Sequence, residues 1–182
     1  METTPQDKKK IVSEIVVNLV SAIGFFVIFY CFIAQTHEVH GASMQPTFFT
    51  GDRVITEKVT KRFHGILRGD IVVLQTVNQA EPLIKRVIAL PDETIVINDG
   101  HISVDGKILM ENYIDELVKT AGQRFLQEGV PYTLASNEYI VMGDNRNVSS
   151  DSRSWGTVKE NEIIGKVIFR YWPLNRIGLL YH

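Results

Sequence analysis

The feature that most constrains this chain is a charge-free stretch of 20 residues, Ile15 to Ala34. At about 1.5 Å per residue, a helix of that length spans roughly the 30 Å of a bilayer's hydrocarbon core. Gly24-Phe25-Phe26-Val27-Ile28-Phe29-Tyr30 is apolar on every helical face, whereas a helix at the edge of a soluble core keeps one polar face. Lys8-Lys9-Lys10 precedes the run. A basic segment before an apolar one is also the pattern of a cleaved signal peptide, but this run is longer than the usual apolar region. Ala34-Gln35-Thr36 is also a poor small-x-small cleavage site. The reading is an uncleaved transmembrane anchor over residues 11–34, with residues 1–10 in the cytoplasm by the positive-inside rule and 35–182 beyond the membrane.

What lies beyond the membrane must fold without covalent staples. Cys31 is the only cysteine and sits inside the apolar run, so neither an intrachain disulfide nor a cysteine metal site can form. The five histidines show no zinc-ligand spacing, so no metal and no cofactor is expected. Nineteen Lys and Arg against 21 Asp and Glu leave a net charge of −2, which gives no basic field for nucleic acid.

Short apolar or alternating runs then recur between turn signals: Arg53 to Thr56, Ile71 to Leu74, Leu83 to Leu90, Thr94 to Ile97, His101 to Val104, Tyr139 to Met142 and Ile163 to Tyr171. That spacing predicts a mainly β domain of packed antiparallel sheet rather than βαβ units. Asn98-Asp99-Gly100 and Asp105-Gly106 supply residues that tolerate positive φ, which predicts a hairpin over 94–108. The more polar segment 98–137 reads as a small inserted lobe carrying little chemistry, helical over Tyr113 to Val118.

Three clusters carry groups capable of chemistry. In Gly41-Ala42-Ser43-Met44-Gln45-Pro46-Thr47, small residues before Ser43 and a proline after it favour a sharp, accessible bend; the plain alternative is a turn serine bonded to its own backbone. The sequence is not a GxSxG elbow. Lys85 falls in Leu83-Ile84-Lys85-Arg86-Val87-Ile88-Ala89-Leu90, where β alternation puts it on the face of Leu83, Val87 and Ala89. A lysine there is either an edge-strand gatekeeper or a buried base whose ammonium is disfavoured by desolvation. Arg86 cannot serve as that base, because its guanidinium stays protonated. The third cluster, Gly143 to Gly156, is a loop pinned by Asp144, Arg146, Asp151 and Arg153, in which Ser149 or Asp151 could orient the lysine. His37 and His40 lie close to Ser43, but Glu38 points to the other face of an extended strand, so a serine–histidine–carboxylate triad is disfavoured. His64 and His101 read as solvated.

Taken together, Ser43-Met44-Gln45-Pro46-Thr47, Gly51-Asp52-Arg53-Val54, Lys85-Arg86-Val87-Ile88 and Gly143-Asp144-Asn145-Arg146 with Ser149, Asp151-Ser152-Arg153 and Gly156 resemble, in order and spacing, the four extracytoplasmic boxes of bacterial type I signal peptidases. The short single anchor and small lobe look most like the Gram-positive, Bacillus-type members. The resemblance implies an antiparallel β fold and a membrane-anchored serine–lysine endopeptidase that removes signal peptides from exported preproteins. By matching positions, Ser43 is similar to the nucleophile, Lys85 to the general base and Ser149 to the hydroxyl that orients the lysine.

Val39, Gly41, Met44, Leu83 and Ile84 are the expected walls of the substrate pockets, and Asp144, Arg146, Asp151 and Arg153 the expected supports of the site. The implied partners are preprotein signal peptides, the lipid bilayer and the export translocon. The chain departs from the family pattern at Gly41, which brings no hydroxyl to an oxyanion, and at Ala89 and Asp92, where the family usually shows glycine. Two other readings compete: a β domain that binds peptides without cutting, and a self-cleaving serine–lysine regulator. Intact Ser43 and Lys85 speak against the first, and the anchor against the second.

Overall fold

The computed structural model describes residues 5–32, 34–59, 65–76 and 81–180; His64 lies outside them. The chain divides into two units, Met1–Gln35 and Thr36–His182. The first is dominated by α1 (Pro5–Phe32). Its Lys9–Tyr30 portion, 22 residues, is long and apolar enough to cross a membrane.

The second unit is β-rich. Its strands are β1 (Ala34–Glu38), which straddles the division, β2 (Arg53–Glu57), β3 (Ile71–Leu74), β4 (Leu83–Ala89), β5 (Thr94–Asn98), β6 (His101–Val104), β7 (Lys107–Ile108), β8 (Tyr132–Thr133), β9 (Glu138–Met142), β10 (Val158–Lys159), β11 (Ile163–Trp172) and β12 (Gly178–Leu179). Among the described residues they form a large sheet in the order β1-β2-β11-β3-β4-β9-β10, with β12 added to β11, and a small sheet in the order β7-β6-β5-β8. The pairings with assigned register are antiparallel.

Side-chain alternation explains the core between the sheets. Ile95 and Ile97 of β5 and Ile102 and Val104 of β6 point inward against Ile88, Ile140 and Met142 of the large sheet. The two tight turns of this meander have the geometry the sequence predicts: φ is +52° at Asp99 and +84° at Gly100, then +49° at Asp105 and +76° at Gly106. A separate cluster on the large sheet packs Val54, Ile71, Val73 and Val167 under Val39, Met44 and Phe48. Burying Met44 and Phe48 contributes about 1.5–3 kcal/mol each, and it ties down the bend that carries Ser43.

Two local expectations are corrected. Residues 113–118 form turns, not a helix: Ile114 N–H bonds the Glu111 carbonyl, Val118 N–H bonds the Asp115 carbonyl, and the Asp115 side chain takes the Leu117 N–H. A short side chain that competes for backbone donors favours a turn over a continuing helix. Alternation along β4 also breaks: Leu83 and Val87 pack in one cluster, but Ala89 joins Ile88 in the core between the sheets. A register shift against β9 between Val87 and Ala89 accounts for the slip. Just beyond, Asp92 adopts φ +64° in the turn closed by the Glu93 N–H on the Leu90 carbonyl, so the position that lacks the usual glycine does carry the left-handed backbone glycine favours.

Candidate active site

Ser43 reaches its place because both flanks of its bend are fixed. On one side Val39 N–H bonds the Asp52 carbonyl and Gly51 N–H bonds the Val39 carbonyl. On the other, Phe48 N–H bonds the Met44 carbonyl, and Arg170 Nη1 donates to the Thr47 carbonyl at 2.8 Å. Asp52 is buried and receives Arg176 Nη2 at 2.7 Å, Arg170 Nη1 at 3.3 Å and the Phe49 N–H. Gly41 enters the bend at φ +83°. The Ser43 carbonyl itself accepts the Asn145 N–H at 2.9 Å, so the bend is docked onto the 143–150 loop.

Lys85 arrives from β4, paired across to Val72 of β3. Its side chain is only 3% exposed, and Nζ donates to Ser43 Oγ at 2.8 Å. Burial pushes the lysine down to about 8; the charges of Asp151 and Asp144 oppose that shift, and Arg153 reinforces it. About one-tenth of the lysine is then neutral at pH 7, and about half at pH 8, available to take a proton from a hydroxyl.

The loop beside them is held by salt bridges. Arg86 grips Asp144 through Nε at 2.8 Å and Nη2 at 2.7 Å, and the Thr47 hydroxyl donates to the same carboxylate at 2.5 Å. Arg153 grips Asp151 at 2.8 and 2.9 Å and donates to the Arg146 carbonyl at 2.7 Å. Burial would raise the Asp151 carboxyl, but its hydrogen bonds and charge pairing with Arg153 outweigh that and hold it below its ordinary value. Gly143 admits no side chain: a Cβ there would lie 2.4 Å from the Ser43 carbonyl oxygen and 2.3 Å from Ser149 Oγ.

A cleft of about 460 Å³ opens at the Ser43–Lys85 pair. Val39, Gly41, Met44, Leu83 and Ile84 all line it, joined by Glu38, His40, Glu81 and Pro82. Along one wall, Leu83, Ile84 and Lys85 pair with β3 on one side only; the β9 register begins at Arg86. This leaves a strand edge facing the cleft among the described residues.

The structure thus brings Ser43, Lys85 and the five wall residues together, with Asp144, Arg146, Asp151 and Arg153 buried behind them. Among the described residues no hydrogen bond joins Ser149 to the lysine. Ser149 Oγ is buried beside Asp151, with no hydrogen bond of normal geometry among the described residues. The hydroxyl lies against the Gly143 backbone instead. Nor do the histidines enter: His40 rims the cleft, His37 Nε2 is buried without a partner among the described residues, and His101 is exposed on β6.

The sequence reading passed over Glu111, Tyr113 and Thr120 of the small lobe. Glu111 and Thr120 bond Arg146, and the Tyr113 ring lies 3.9 Å from the Arg86 guanidinium carbon. Burial, then the neighbouring Glu111 charge and hydrogen bond, keep the Tyr113 phenol well above its ordinary value, so it stays a donor. No periodicity marks these residues, because their partners lie 26 to 35 positions away.

The model of the family described as Signal peptidase, peptidase S26 matches residues 12–172. The chain belongs to this family. It is therefore a peptidase of the signal peptidase I type, a serine hydrolase. Among similar proteins, the probable signal peptidase I-2 of Synechocystis sp. is 36% identical over 169 residues, covering 90% of this chain and 74% of its own. The signal peptidase IB of Staphylococcus aureus (strain COL) is 32% identical over 180 residues, 92% of this chain and 93% of its own. A solved signal peptidase I from Enterococcus faecalis V583 superposes with a TM-score of 0.47 at 27% identity, covering 56% of this chain and 95% of that one.

Proposed function

We propose that this signal peptidase is a membrane-anchored endopeptidase that removes N-terminal signal peptides from exported preproteins through a Ser43–Lys85 dyad. The observation that carries the reading is the 2.8 Å contact from a buried, pKa-lowered lysine amine to the serine hydroxyl. Such a pair places a base within hydrogen-bond reach of the hydroxyl it would activate.

Extended substrate would lie along the open edge of Leu83-Ile84-Lys85, bonded main chain to main chain as an added strand, with alternate side chains entering the cleft between Val39, Met44 and Ile84. Neutral Lys85 accepts the Ser43 proton as Oγ attacks the scissile carbonyl. The resulting oxyanion is met by the Ser43 backbone N–H. Collapse of the tetrahedral intermediate breaks the C–N bond, and the Lys85 ammonium gives its proton to the leaving amine, leaving an acyl-serine. The lysine, neutral again, then takes a proton from water as the water attacks the ester, and returns it to Ser43 Oγ when the signal peptide's new carboxylate departs.

The apolar helix gives this chemistry its place. A preprotein is held in the bilayer by its own apolar segment, so an enzyme tethered in the same plane meets the cut site at high effective concentration. The lysines before α1 favour a cytoplasmic N-terminus and an extracytoplasmic catalytic unit.

The test is to incubate the full chain in detergent with a preprotein and locate the cut by mass. Wild type is expected to release the signal peptide, and Ser43→Ala and Lys85→Ala each to lose about 10³-fold or more while remaining folded. Undiminished cleavage by either variant would sink the proposal.

A further inference from the structure

The small lobe reaches the 143–146 turn at two points. Glu111 Oε2 accepts Arg146 Nη1 at 3.0 Å, Glu111 Oε1 accepts both Arg146 Nη2 and the Tyr113 hydroxyl, and Thr120 Oγ1 takes Nη1 at 2.5 Å. The outer edge of the Arg146 guanidinium is thus held entirely by lobe residues, while its Nε points back to the Gly143 carbonyl at 3.0 Å. At the second point, the Tyr113 ring backs Arg86, which chelates Asp144.

Both paths end at Ser43. Gly143 lies directly against the Ser43 carbonyl, and Asn145 N–H donates to that oxygen at 2.9 Å. Asp144 accepts the Thr47 hydroxyl on the far flank of the same bend. A guanidinium is planar and rigid, so a shift of its outer edge moves the backbone its inner nitrogen holds. Glu111 is 12% exposed and Arg146 fully buried, so water cannot readily replace the pairing.

We infer that Glu111 and Tyr113 are positioning residues for the reaction, setting the orientation of the Ser43 peptide, and hence of its hydroxyl and N–H, through Arg146 and Arg86. The inference rests on the Ser43–Lys85 reading above. It assigns the lobe a part in catalysis without contact to substrate: neither residue lines the cleft at Ser43. Substrate binding is then left intact while the reacting groups lose alignment.

Glu111→Gln, Glu111→Asp and Tyr113→Phe, made in the full chain in detergent, separate this role from simple destabilisation when kcat and KM on a peptide spanning a cleavage site are expressed per folded molecule. Glu111→Gln sets an amide donor against donors and is expected to lower kcat by about 10- to 100-fold, the scale of a misalignment near 1 Å, with KM within about two-fold. Glu111→Asp, which keeps the carboxylate, recovers part of that loss. Tyr113→Phe keeps the ring under Arg86 and loses one hydrogen bond, for a kcat loss of about 3- to 10-fold. The apparent pKa of the lysine limb stays where it is, since Asp151, Arg153 and Asp144 still surround Lys85.

Wild-type kcat per folded molecule in the variants, or a loss confined to KM, overturns the inference. Should Glu111→Gln fail to fold, Tyr113→Phe decides alone. Wild-type protein that leaves the peptide uncut overturns the dyad reading, and this inference with it.

Discussion

Four cations are buried within reach of one another, and they are treated in two opposite ways. Arg86, Arg146 and Arg153 are 4%, 2% and 1% exposed, and each meets a carboxylate through two nitrogens. Lys85 is 3% exposed, and its hydrogen bond goes to a hydroxyl. The arginines keep their charge because paired hydrogen bonds replace the lost water. The lysine has no such pairing, so burial shifts it toward the neutral amine. Equal burial thus yields permanent charge in the loop and a more easily removed proton beside Ser43, where the proposed dyad needs one.

The largest effect should come from erasing that distinction. Lys85→Arg puts a group that cannot lose its proton beside Ser43; cleavage is expected to fall about 10³-fold or more. In the wild type, kcat/KM measured against pH should rise about tenfold per unit until it levels near the lysine's pKa of about 8. A profile flat from pH 6 to 9 would show that Lys85 is not the group titrating.

Next in size is the reverse operation, stripping an arginine of its carboxylate. Asp151→Asn leaves Arg153 buried with half its pairing and is expected to cost about 3–5 kcal/mol, read as a lower urea midpoint of the full chain in detergent. An unchanged midpoint would mean that the arginine pairs do not hold the loop.

A smaller and opposite effect is expected from Lys85→Met. Lowering a lysine from 10.5 to about 8 means that folding is penalised by about 3 kcal/mol while both states are protonated. The penalty is complete below pH 8, shrinks from there to 10.5 and vanishes above. The Lys85→Met variant should therefore be more stable than wild type at pH 7, with the advantage fading across that window. No gain at pH 7 would argue that Lys85 carries no burial cost.

How much of this was legible in the residues follows from the range of each interaction. The longer strands could be read from alternation, as in Ile95, Ile97, Ile102 and Val104, and the two left-handed turns from Asn98-Asp99-Gly100 and Asp105-Gly106. Two-residue strands such as β7 and β8 carry too few positions to show a period. The slip at Ala89 was hidden because a bulge is set by the partner strand's register. Ser149 was expected at the lysine by matching position; what local sequence could not show is that its hydroxyl packs against Gly143, a contact made by the folding of the loop.

The sequence by itself determined the apolar helix, the antiparallel β class, and Ser43 and Lys85 as the proposed nucleophile and base, because composition and short-range periodicity are local properties. Only the tertiary structure decided that Nζ of Lys85 and Oγ of Ser43 stand 2.8 Å apart across 42 positions. It alone also decided that the lysine is buried, which lowers its pKa, and that a polar lobe braces the turn behind the serine. Those are properties of distance and burial, and both are fixed by packing among segments remote in the chain.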